Sequence, residues 1–163
     1  MKKLPDEVVH FFREQGFVIV STIDGHGRPH SSCKGIVNIS PSGKVYLLDV
    51  YLRDTYKNLK RNPNISITAV DEHKFKGYCL KGKAGIINSE QLSPQIKKAW
   101  ESRIAGRITQ RMIKNIREQK GHPKHPEALL PRPEYMIVME VSEIIDLTPH
   151  NLKGEALAEE EKR

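Results

Sequence analysis

Tyr51-Leu-Arg-Asp-Thr-Tyr-Lys-Asn-Leu-Lys-Arg-Asn-Pro63 is the stretch on which the fold and the function of this chain turn. The run before it, Val45 to Val50, is apolar and alternates as a strand does. The stretch itself opens a short helix. Asp54 or Thr55 suits the N-cap, Leu59 is the apolar anchor, and Asn62-Pro63 stops it. A helix start offers unpaired backbone N–H groups and the positive end of a dipole, so it attracts anions. Arg53, Thr55 and Lys57 gather there as a fork, a hydroxyl and a point charge, a set suited to phosphate. Alone, the same residues also describe a capped surface helix with solvated basic side chains.

Upstream, Pro5 to Gln15 reads as a helix with Val8, Val9, Phe11 and Phe12 on its buried stripe and Gly16 closing it. Phe17 to Ile23 is a strand apolar on both faces, hence central. Asp24-Gly-His-Gly27 is a hairpin turn that needs positive φ. Pro29 to Ile39 returns as a second strand, with His30, Ser32, Lys34 and Ile36 on one face and Ser31, Cys33, Gly35 and Val37 on the other. Its polar first half suits a strand whose edge groups meet a polar ligand. Lys44 to Val50 is the third strand.

Downstream, Asn64 to Asp71 and Gly77 to Asn88 are strands, and Gly82 and Gly85 mark bends or bulges in the second. Ser93-Pro94 opens a helix to about Lys120, with Ile96, Trp100, Ile104, Ile108, Met112 and Ile116 at steps of four. Residues 121–133 form a Pro- and His-rich loop, and Glu134 to Leu147 is the sixth strand. Six strands joined mostly by tight turns predict a closed antiparallel barrel with helical plugs, spanning residues 1–150. A charged tail, 151–163, follows.

The chain has 163 residues, 37% hydrophobic and 29% charged, enough for one core without staples. No apolar run is long enough to span a membrane. Cys33 and Cys79 lack metal-ligand spacing and read as buried thiols in a reducing cytoplasm. Of the net charge of +7, the helix from Pro94 to Lys120 carries +6, with eight Lys or Arg against two Glu. With Trp100 as its one aromatic, on the apolar stripe, this helix reads as a solvated face or a lid for an acidic substrate. It is not read as a nucleic-acid surface. His122 and His125 are three apart but have no third ligand nearby, so no metal site is expected.

In order along the chain stand Phe17-Val-Ile-Val-Ser-Thr-Ile23, Gly27-Arg-Pro-His30, Gly43-Lys-Val-Tyr-Leu47, Thr55-Tyr-Lys-Asn-Leu59, Asn62-Pro63 and Gly77-Tyr-Cys-Leu-Lys-Gly-Lys-Ala84. The series resembles the FMN-binding split barrel of the pyridoxamine 5'-phosphate oxidase family, over Leu4 to Ile87 and the last strand. The resemblance implies a mainly β, six-stranded antiparallel split β-barrel and a homodimer with FMN at the subunit interface. It implies that Arg53, Thr55 and Lys57 hold the phosphate. It places Ser32, Cys33 and Lys34 along the ring and ribityl chain, and Leu48 and Asp49 at the end of the third strand beside them. Lys34 would then stabilise the anionic reduced ring, or be a surface lysine on an edge strand.

There are departures from the family pattern. Ser32 stands where the oxidases proper have an arginine, Thr55 aligns with a lysine of theirs, and the loop before it is one residue longer. The chain also lacks their C-terminal Trp segment and Arg-His pair, so it is not expected to oxidise pyridoxine or pyridoxamine phosphate. The implied activity is an FMN-dependent oxidoreductase acting on an unknown, anionic small molecule. The alternatives are an FMN-binding carrier, sensor or general stress protein without turnover, or a relative that binds haem or a deazaflavin.

Overall fold

The computed structural model describes residues 1–49, 53–116 and 135–149, the side chains of 107–116 excepted. Three helices and six strands follow in the order α1 (Asp6–Glu14), β1 (Val18–Ile23), β2 (Pro29–Ile39), β3 (Lys44–Leu48), α2 (Asp54–Arg61), β4 (Asn64–Asp71), β5 (Lys76–Asn88), α3 (Pro94–Ile116) and β6 (Tyr135–Asp146). A single 3-10 turn, Ser89–Gln91, precedes α3. The strands close into one barrel in the order β1-β2-β3-β6-β5-β4, all pairs antiparallel and β4 returning to β1. This is the expected six-stranded antiparallel barrel. The last residues of the expected long helix, the His-Pro loop with His122 and His125, and the tail 151–163 lie outside the described residues.

Alternation decides which side chains fill the barrel. Val18 and Val20, Val45 and Leu47, Ile65 and Ile67, and Ile137, Met139 and Val141 point inward, two residues apart. Helix α1 adds Val8, Val9, Phe11 and Phe12 to the same core, and Phe11 packs edge-on against Tyr78 of β5 at 5.2 Å between centroids. Each fully buried large side chain, such as Phe12 or Leu80, contributes about 1.5–3 kcal/mol. The first turns of α3 pack on the outer wall, where Leu92, Ile96 and Trp100 meet Val37, Tyr46, Ile87 and Met136.

Several expectations need correction, each because closure of the barrel changes what a strand face meets. β2 is not an edge strand, since it pairs with β1 on one side and β3 on the other. β1 is central but not covered on both faces: Phe17 and Ile19 stand 55% and 50% exposed on the outer wall. Cys33 points outward from that wall and is exposed, and Cys79 is half-buried; both are free thiols. Gly16 closes α1 without a left-handed backbone, and Gln15 is the extended C-cap.

Gly27 has φ 77 in the β1–β2 hairpin, as the turn requires. Asp24 organises that turn by accepting from the backbone N–H of Arg28 and of His26, with the Arg28 side chain adding a third bond. These bonds, the Arg28 N–H foremost, hold its carboxyl down to about 2. A depressed folded value means stability that is present above the unfolded value near 3.8 and lost as the pH falls toward 2. Asp24→Asn should therefore flatten the acid limb between these limits. Urea midpoints at the two ends, for both proteins, measure it. Equal slopes would show that the turn carries none of the acid sensitivity. The clasp between α1 and the barrel, Glu7 with Lys76, acts in the same direction, because the Lys76 hydrogen bond holds the Glu7 carboxyl below its ordinary value.

Candidate functional site

Helix α2 lies over β1, β2 and β5, and its short sequence explains how it is fastened. Leu59 enters the core, while Thr55 and Asn58, one turn apart, are buried polar residues that must find partners. Asn58 donates from Nδ2 to Thr22 Oγ1 at 3.0 Å and accepts from Arg61 at 2.9 Å. The Thr55 and Ser32 hydroxyls share a hydrogen bond of 3.1 Å. The helix begins one residue earlier than expected. Arg53 is the N-cap, no side chain caps the end, and the Thr55 hydroxyl is directed to β2 instead. Among the described residues, the start of α2 has no side-chain cap bond.

Beside this, Lys34 donates to Asp49 Oδ1 at 2.7 Å. Their side chains are 11% and 1% exposed, and Asp49 Oδ2 is buried with no hydrogen-bond partner among the described residues. Lys34 is therefore neither a surface lysine nor an unengaged cation. It is half of a buried ion pair, because Gly35 lies opposite Leu48 and brings the ends of β2 and β3 together.

The eight candidate residues are distributed as follows. Ser32 and Thr55 touch, and Lys34 and Asp49 touch. Leu48 is half-buried on β3, between Gly35 and Met136. Arg53 and Lys57 are exposed in the first turn of α2. Cys33 is on the opposite face of β2 from Ser32 and Lys34. Thr22, Asn58 and Arg61 belong to the same polar network and were missed. The available signal was Asn58 itself, an amide next to the only apolar anchor of a short helix.

Two concave regions lie elsewhere among the described residues. One, of about 250 Å³, is lined by Glu90, Lys97, Trp100, Glu101 and Met136 beneath α3. The other, of about 440 Å³, opens on the outer wall between Ser21, Ser66, Lys81 and Ser142. No group of three or more metal-ligating side chains occurs among the described residues, and no helix there is long and apolar enough to cross a membrane.

Residues 4–132 match the family model described as pyridoxamine 5'-phosphate oxidase. The chain belongs to the pyridoxamine 5'-phosphate oxidase family. Solved structures of similar fold are only distantly related to it in sequence. HupZ of Group A Streptococcus is 19% identical, with 89% of this chain and 94% of the other covered at a TM-score of 0.62. A protein related to general stress protein 26, from Clostridium acetobutylicum, is 16% identical over 86% and 90% at 0.55. HutZ of Vibrio cholerae, a haem storage protein, is 18% identical over 88% and 94% at 0.53. At such identities the likeness shows the fold alone. No curated protein matches the chain.

Members of this family generally bind flavins, and the residues present fit a phosphorylated flavin. The uncapped start of α2 with Arg53 and Lys57 is a donor set for a dianion. The orphaned Asp49 Oδ2 and the spare protons of Lys34 offer an acceptor and donors beside it.

Proposed function

We propose that this chain is an FMN-binding flavoprotein that works as an FMN-dependent oxidoreductase on an anionic small molecule, as a homodimer in the cytoplasm. The observation that carries the reading is the α2 start without a side-chain cap bond, with Arg53 and Lys57 exposed at it, Thr55 tied to Ser32 of β2, and the Lys34–Asp49 pair two residues further along that strand. When bound, the flavin supplies the electron-transfer chemistry; the protein holds it, orients it and keeps water away. Arg53, Lys57 and the first-turn N–H groups hold the phosphate. Ser32 and Thr55, fixed by their mutual bond, keep α2 at a set distance from β2. Lys34 supplies local charge.

The dimer is supported by the outer wall. Phe17, Ile19 and Val70 are at least half exposed, and Ile19 lies opposite both Cys33 and Thr68. Four outward positions beside them, Ser21, Ser31, Ser66 and Thr68, carry no charge, and Lys81 opposite Ser66 is paired with Glu143. Such a patch of exposed apolar side chains on a chain of net charge +7 fits a protein partner better than water. The two free thiols fit a reducing compartment.

One titration tests the reading. Purified protein should take up FMN with a flavin spectrum, at twice the chain mass by light scattering. Lys57→Ala should weaken FMN about tenfold or more while riboflavin, which lacks the phosphate, loses little. A Soret band in place of flavin absorption, or a monomer that keeps FMN tightly, would contradict the corresponding part.

A further inference from the structure

Of the ion pairs among the described residues, Lys34–Asp49 alone is withdrawn from water on both sides, at 11% and 1% side-chain exposure. Stability does not explain it, since an apolar pair of similar volume commonly serves a core as well or better. Nor is the pair internally satisfied. Asp49 uses one oxygen on Lys34, while Oδ2 is buried and unpartnered against the general rule for buried polar atoms. Lys34 follows Ser32 by two residues on the same face of β2, and Asp49 directly follows the last residue of β3; the FMN reading assigns both to the flavin. Buried, incompletely satisfied charge of this kind concentrates where a protein adjusts the energy of another charge.

We infer that Lys34 and Asp49 act on the redox potential of the bound flavin as an opposed pair, each offsetting the shift the other alone would cause, a conclusion that rests on the FMN reading above. Reduction by two electrons with uptake of one proton leaves one additional negative charge on the ring system. The Lys34 ammonium favours that charge, and in a site poor in water its field is weakly screened. Asp49 opposes it, and also holds the ammonium in place as a positioning residue. The pair as a whole is neutral, so neither redox form is strongly favoured by it. Removing one member exposes the other's full effect.

The test compares dissociation constants for oxidised FMN and for FMN reduced anaerobically with dithionite, in the parent, Asp49→Asn, Lys34→Met and the double variant K34M/D49L. Asp49→Asn should favour the reduced form by about tenfold relative to the parent ratio, which is about 30 mV for a two-electron couple. Lys34→Met should move the ratio the opposite way, and the double variant should return it toward the parent. Either single variant is informative without the other. A purely structural role would weaken both forms alike, so unchanged ratios in variants that still bind FMN overturn the inference and leave the flavin reading standing. Shifts of the same sign in the two single variants overturn it equally. A parent protein that binds neither form overturns the flavin reading itself, and this inference with it.

Discussion

Gly82→Ala is expected to melt about 6–12 °C below the parent. Gly82 sits at the register shift between β5 and β6, where Lys81 pairs with Glu143 but Gly82 pairs with Val141. A Cβ built there would land on the backbone carbonyl oxygen of Glu140 and come within 3.1 Å of Val141 Cα. Both obstacles are backbone, so no side chain can swing aside. β6 must move, and it closes the barrel between β3 and β5. Displacing it costs about 3 kcal/mol, in the range of overpacking strain. Thermal unfolding of the two proteins measures the effect. Gly85→Ala is the control, because nothing lies within 4 Å of the Cβ it would add. Equal losses at the two positions would show that backbone freedom, rather than close approach, makes the glycine necessary.

Lys34→Met should destabilise the protein by about 3–5 kcal/mol, by stranding a buried carboxylate rather than by losing packing. Methionine keeps most of the lysine stem, but Asp49, 2% exposed, would lose its hydrogen-bond donor. The double variant K34M/D49L should recover most of the loss, since no charge is left inside. Urea midpoints of the three proteins at neutral pH decide the matter. A deficit that persists in the double variant would trace to packing alone.

Much of this architecture was legible in the amino-acid order because the signals are local. Period-two alternation in Val18–Ile23 and Asn64–Asp71 separates each strand into two faces whatever the neighbours are. Asp24 and Gly27 define a hairpin through their own backbone requirements, and Gly82 announced a bulge. With six such strands and tight turns, a closed antiparallel barrel follows.

Strand pairing and packing, not local order, match charge and polarity across segments far apart in the chain. Composition shows that Lys34 and Asp49 exist; strand pairing between β2 and β3 makes them partners, 15 residues apart. The same holds for Thr22 and Asn58, 36 residues apart, and for the Thr55 hydroxyl, which locally suits a helix cap but binds Ser32 across the fold. Barrel closure also turned β2 from an expected edge into an interior wall strand and faced Cys33 outward, since alternation gives two faces but not which one meets the core. A local rule states what a residue can do. Which of its options it takes depends on the desolvation of partners that sequence distance does not reveal.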